Sequence, residues 1–188
     1  MDTLSRYNIQ WKGLSNGKHS FEFGIDDAFF EAFEDSEIEG GKLTAKIELT
    51  KSATMLVLDV TIRGEVTVQC DRCLGELQLP VDYKGTLTVK FSDEIDDYDG
   101  EIMWINPSDG ELRLAQYIYE SIVLSLPYQK VHGTDANGNL LCDADMLSRF
   151  RIVSQEEFDA FDPESRTLAE SPESGKLEAL KRKLEEQE

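Results

Sequence analysis

Val60-Thr61-Ile62-Arg63-Gly64-Glu65-Val66-Thr67-Val68-Gln69-Cys70-Asp71-Arg72-Cys73-Leu74-Gly75-Glu76-Leu77-Gln78-Leu79-Pro80-Val81-Asp82-Tyr83 is the stretch whose reading decides the fold. Val60, Ile62, Val66 and Val68 alternate with polar residues, the period-two pattern of a strand with one buried face. Alternation resumes after the cysteines at Leu77, Leu79, Val81 and Tyr83. Cys70 to Gly75 is therefore predicted to form the tip of a hairpin between two long strands. Gly64 interrupts the first strand and reads as a bulge or bend.

Outward from the hairpin the pattern continues. Upstream, Leu43, Ala45, Ile47 and Leu49 alternate with Thr44, Lys46, Glu48 and Thr50, and Leu56 and Leu58 lengthen the Val60 strand; downstream come Leu87, Val89 and Phe91. Near the N-terminus, Tyr7, Ile9 and Trp11 precede Asn16-Gly17, a favoured tight-turn dipeptide, and Phe21 and Phe23 follow, which predicts a second hairpin. Asp26-Asp27 starts a short helix over 28–33, and Gly40-Gly41 breaks it. Leu114, Ile118 and Ile122, with Ala115 and Tyr119 beside them, predict a helix capped by Ser108 or Asp109 and ended by Pro127. The expected fold class is α+β. It has an antiparallel, strongly twisted sheet of about six to eight strands, open or curled into a barrel-like form, with two or three helices. Residues 1–154 are expected to form one domain. Residues 155–188, with eleven acids against five bases, read as an acidic tail, partly disordered or helical, with Leu177, Leu180 and Leu184 on one helix face.

Charge bounds the partners. The net charge is −19, and it is clustered: Asp26 to Glu39 holds seven acids and no base, and Asp93 to Glu101 six acids and no base. Such blocks repel phosphate backbones, which proteins normally neutralise with clustered Lys and Arg. A basic protein partner suits this surface better, because complementary fields speed encounter; simple solubility is the plain alternative. Neither Lys42, Lys46 and Lys51 nor Arg149 and Arg151 makes a convincing basic patch. No stretch has the apolar length of a membrane span. Residues 1–6 lack the charged start and apolar run of a secretory signal, so a reducing cytoplasm is the expected compartment.

The three cysteines carry the chemistry. C-x-x-C followed by Gly75 has the form of a zinc knuckle, in which two thiolates face one metal and the glycine lets the chain turn back. The other half of a tetrahedral site would come from His132 and Cys142. Asn137-Gly138 lies between these two, and a reversal there brings them opposite each other. That x9 spacing belongs to no strong zinc pattern by itself. A thiol redox pair at Cys70 and Cys73 competes for the same sulfurs, with Arg72 available to stabilise a thiolate. It lacks the helix that normally follows a redox C-x-x-C. Three reduced, ligand-free cysteines are the third reading. His19 lies in a predicted strand and reads as a surface residue. No arrangement of nucleophile, base and orienting group appears, and the run Asp96, Asp97, Asp99 lacks the spacing of a calcium loop.

Val66-Thr67-Val68-Gln69-Cys70-Asp71-Arg72-Cys73-Leu74 resembles the signature of the YceD family, the bacterial large ribosomal RNA subunit accumulation proteins. Glu120-Ser121-Ile122-Val123-Leu124-Ser125-Leu126-Pro127, followed by His132 and Cys142, resembles the second half of that signature. The likeness runs from about Gly64 to Cys142. It implies a cytoplasmic, non-catalytic factor in large ribosomal subunit biogenesis, acting through a ribosomal protein or precursor particle. It implies no membrane, no small-molecule substrate, and rRNA contact that is indirect or local. In many bacteria the family's gene lies beside that of a small zinc-ribbon ribosomal protein. Many members carry a second cysteine pair after the Leu-Pro, where this chain has His132 and a lone Cys142. The resemblance supports a structural zinc on Cys70, Cys73, His132 and Cys142, four protein ligands that leave no open position for water.

Overall fold

The computed structural model describes residues 3–93 and 97–149. The chain divides into two compact units, Met1–Leu147 and Ser148–Glu188. The tail reading for 155–188, and Arg151, lie outside the described residues.

Three strands dominate the first unit: β3 (Ile38–Lys51), β4 (Met55–Gln69) and β5 (Glu76–Phe91). Their alternation buries one face. Leu43, Ala45, Ile47 and Leu49 of β3, Leu56, Leu58, Val60, Ile62, Val66 and Val68 of β4, and Val81, Leu87 and Val89 of β5 are at most 3% exposed. Each fully buried Val, Leu or Ile side chain of this set contributes about 1.5–3 kcal/mol, so the long meander is the main source of cohesion. The remaining strands are β1 (Asn8–Gln10), β2 (Gly17–Ile25), β6 (Asp97–Tyr98), β7 (Ile102–Ile105) and β8 (Glu111–Arg113). Among the described residues there are three α-helices, α1 (Asp27–Phe30), α2 (Ala115–Ser125) and α3 (Ala144–Ser148).

The class is α+β, but the sheet is neither purely antiparallel nor a barrel. Its order is β2-β3-β4-β5-β7-β6, and β5 pairs with β7 in parallel. After β5 the chain passes outward to β6 and returns as β7, which slots between the two and so runs in the direction of β5. The edges β2 and β6 do not pair with each other, and a two-residue β6 offers too short a ladder to close the sheet.

The expected N-terminal hairpin does not form. β1 pairs with β8, placing Ile9 opposite Leu112, while β2 pairs along β3 from Gly17↔Lys51 to Ile25↔Leu43. Alternation made both segments strands without specifying their partners; the long free edge of β3 captures β2. The 3–10 turn Thr3–Tyr7 precedes β1, and Tyr7 is wholly buried against Phe29, with ring centroids 4.7 Å apart. Gly64 is not a bulge either, since pairing runs unbroken through it on both sides; the irregularity falls between Ile38 and Gly40. Gly64 is needed because its φ is +150° and a Cβ there would lie 2.2 Å from the Lys42 carbonyl oxygen.

α1 is shorter than expected, and Asp27 does more than start it: its Oδ1 accepts the Gly41 N–H at 2.8 Å. α2 begins after Leu114, without a side-chain cap from Ser108 or Asp109, because 111–113 are used as β8. It ends as expected: Leu126 is extended (ψ 149°), the conformation proline imposes on the residue before it. Phe33 stacks on Tyr119 with centroids 4.1 Å apart, tying the segment after α1 to α2.

Candidate metal centre

The last ladder pair of β4 and β5 is Gln69↔Glu76, and Cys70 to Gly75 form the tip beyond it. The tip is closed by Cys70 N–H to Gly75 O at 2.8 Å and Leu74 N–H to Cys70 O at 2.9 Å. Its left-handed residue is Leu74 (φ +59°), not Gly75, where a Cβ would meet only ordinary contacts, the nearest at 3.5 Å on Cys73 Sγ. A leucine held at positive φ stores backbone strain, which the closed tip must hold in place.

The second strip is pinned to this tip. Asp71 N–H donates to Lys130 O at 2.7 Å, and Lys130 N–H donates back to Asp71 Oδ2 at 2.7 Å. Beyond it the chain reverses as the Asn137-Gly138 dipeptide suggests. Thr134 bridges Leu140 antiparallel, Leu141 N–H donates to Gly133 O, and Gly138 takes φ +85°. Asp135 Oδ1 holds the turn by accepting the N–H groups of Asn137 and Asn139, each at 2.8 Å. The reversal sets Cys142 against the tip opposite His132.

All four candidate residues converge: the ligand atoms of Cys70, Cys73, His132 and Cys142 lie within 4.8 Å of one another. Cys73 Sγ is 3.5 Å from His132 Nδ1, and Cys70 Sγ is 4.0 Å from Cys142 Sγ. A tetrahedral zinc with Zn–S of about 2.3 Å and Zn–N of about 2.0 Å needs ligand separations of roughly 3.5–3.8 Å, so the set is close to the required size. His132 Nε2 donates to Glu76 O at 3.0 Å, which leaves the Nδ1 lone pair turned to the sulfurs. The three cysteines are buried and none is in a disulfide.

The electrostatics also favour anionic sulfur at the knuckle. Burial alone would push the Cys70 thiol up, but the backbone N–H groups of Cys73, Arg72 and His132 hold it down at about 6. Cys73 is lowered by the N–H groups of Asp143 and Gly75. Cys142 is raised, by burial and by the two neighbouring thiols, and is the sulfur that most needs a cation to ionise. Arg72 Nη1 sits 3.9 Å from Cys142 Sγ, so the guanidinium of the C-x-x-C faces the distant cysteine while the backbone N–H of the same residue serves Cys70. His132 is raised by Cys70. The donor set, the sulfur spacing and the oriented N–H groups fit a soft tetrahedral ion.

The sequence model of the family described as "Large ribosomal RNA subunit accumulation protein YceD" matches residues 58–179. The chain belongs to the YceD family. The match begins inside β4 at Leu58, covers the C-x-x-C tip, α2 and the His132–Cys142 reversal, and continues beyond the described residues. The family's name ties it to accumulation of large-subunit ribosomal RNA. No curated protein and no solved structure matches the chain.

Within that family signature, Glu120 lies on α2 beside Tyr98 and, after burial, is the next cause that pushes the phenol up, to about 12. The Asp71–Lys130 clamp, the Glu76 carbonyl and the role of Leu74 were not readable beforehand. The aspartate inside C-D-R-C was the only local cue, and its partner is 59 residues away. His19 stands apart from the centre, half-buried on β2 with Nε2 2.8 Å from Ser15 O. Two of the β3 lysines are already engaged. Lys46 faces Glu22 at 3.4 Å, and Lys51 Nζ donates to the carbonyls of Trp11 and Leu14.

Proposed function

We propose that this YceD-family chain is a non-catalytic, cytoplasmic factor of large ribosomal subunit biogenesis. It supports accumulation of large-subunit rRNA through a ribosomal protein or a precursor particle. In the same reading, Cys70, Cys73, His132 and Cys142 hold one structural zinc, and residues 1–154 act as the domain that carries it, with 155–188 as an appended acidic tail. The observation that carries the reading is the convergence of a four-ligand Cys/His set inside the family-matched region. Four protein ligands saturate a tetrahedral ion, which suits bracing rather than hydrolysis. A zinc there joins the β4–β5 tip to the segment after α2, two parts of the surface that a partner would meet together.

The test is sedimentation of a cell extract at low salt, with the chain followed across the gradient and large-subunit rRNA quantified in cells lacking it. Co-migration with large-subunit precursors and a fall in that rRNA are expected. Free migration together with unchanged rRNA would remove the proposal. One observation favours a second reading, a thiol switch. Cys70, whose thiol is held at about 6, lies 4.0 Å from Cys142 Sγ. A thiol count that drops by two on mild oxidation, with metal release, would support it; the expected pair is then Cys70 with Cys142 rather than Cys70 with Cys73.

A further inference from the structure

We infer that the cleft beneath the C-terminal end of α2 is the docking site for a basic protein segment with an aromatic or branched aliphatic anchor. This deepens the assembly-factor reading and rests on it.

The cleft measures about 540 Å³ and is floored by Ile38 and Val68. Its wall is the family's helix end, where Leu124 is 83% and Tyr128 98% exposed, the two most exposed large apolar side chains among the described residues. Two such side chains beside a cleft with an apolar floor are anchors for a partner rather than scattered surface residues. The wall is rigid. Pro127 fixes the helix exit, and Lys130 is clamped to Asp71 on the cysteine tip.

Charge complementarity selects the occupant. Asp35 and Glu37 line the cleft, and an adjoining depression of about 400 Å³ shares Glu37 and adds Glu39 and Asp71. The one base at this rim among the described residues, Lys130, is already on Glu37 at 2.6 Å, and Glu37 remains 81% exposed. α2 ends here with no basic residue in its last turn, so its terminal carbonyls add negative potential. An apolar floor ringed by carboxylates repels RNA phosphate. A second copy of a chain with net charge −19 meets the same repulsion. A Lys/Arg-rich segment that buries one Trp, Phe or Leu satisfies both features.

The experiment uses the full chain and a fluorescein-labelled peptide, Lys-Arg-Leu-Lys-Trp-Arg-Lys, read by fluorescence anisotropy. The chain is expected to bind it in a salt-sensitive manner. Replacing Leu and Trp of the peptide by Ser, or making the doubly substituted L124S/Y128S chain, should weaken binding by about tenfold or more. Asp35→Asn should weaken it less and flatten the salt dependence, while Met55→Ser, an exposed residue away from the cleft, should leave it unchanged. The inference is overturned if the wild type does not bind, if L124S/Y128S binds as tightly, or if a Glu-for-Lys/Arg peptide binds equally well. It is also overturned if oligouridine competes through the same residues, or if the wild type is a dimer by light scattering and L124S/Y128S is a monomer. Both chains are also run on large-subunit precursors. Equal co-sedimentation leaves the assembly role standing and discards the cleft, whereas failure of the wild type to co-sediment discards the assembly role while the peptide titration still decides the cleft.

Discussion

With the proposed zinc on Cys70, Cys73, His132 and Cys142, stripping it should destabilise the protein by roughly 4 kcal/mol, the entropy of a lost cross-link over about 60 residues of chain. Cys73 and His132 are 59 residues apart, so a bound ion closes that loop, with the second helix inside it. What remains without metal is the Asp71–Lys130 pair of 2.7 Å hydrogen bonds and the 3.0 Å bond from His132 Nε2 to Glu76 O. At about 1 kcal/mol net apiece, they do not replace the cross-link. For a protein of this size a loss of that order lowers the thermal midpoint by roughly 12 °C, at about 3 °C per kcal/mol. The assay is calorimetry of the zinc-loaded chain in reducing buffer, before and after exhaustive chelation, with zinc counted in both samples by elemental analysis. Cys73→Ser should melt at the chelated midpoint and be indifferent to chelator. Identical midpoints for loaded and stripped wild type, both folded by circular dichroism, would refute the reasoning. A drop that Cys73→Ser fails to reproduce would place the metal elsewhere.

Gly64→Ala should cost roughly 2–3 kcal/mol in urea unfolding, because its Cβ meets the β3 backbone in a conformation L-residues avoid. Gly24→Ala, with nothing within 4 Å, is the control, and equal small losses at both positions would contradict the close approach. Leu74→Gly should leave stability within about 0.5 kcal/mol of wild type, relief of the left-handed strain offsetting the greater freedom of the unfolded glycine, whereas Leu74→Ile should lose about 1 kcal/mol or more. Matching losses for the two variants would mean that the tip does not hold φ positive. Tyr98 should ionise near 12, held up by burial and then by Glu120. A phenol raised above its ordinary 10 contributes stability that is complete below 10 and is lost as pH climbs through about 12. Glu120→Gln should shift the phenolate absorbance titration downward; an unchanged curve would show that the two groups do not face each other.

Local pattern accounts for much of the fold and for the location of the centre. The alternations around Val60 and Leu77 place the C-x-x-C at a hairpin tip, and Asn137-Gly138 places a reversal between His132 and Cys142, because strand period and turn chemistry are short-range properties. The expected antiparallel arrangement failed at β7, and the expected N-terminal hairpin failed at β1, for one reason. A strand's own residues state which face is buried but not which edge it joins, and β1 finds β8 about a hundred residues away.

Composition and motif alone determined that this chain is strand-rich, strongly acidic, a member of the resemblance it shows at Cys70–Leu74 and Glu120–Pro127, and the owner of one candidate ligand set. Tertiary structure decided that the four ligand atoms meet, that Arg72 faces Cys142 and that Leu74 bears the strained turn. It also decided that Leu124 and Tyr128 stand over an apolar floor beside carboxylates from another part of the chain. Apart from the local turn at Leu74, each of those is a distance between residues far apart in sequence, set by how the long sheet and α2 pack, and packing sums over contacts that no short window of sequence contains.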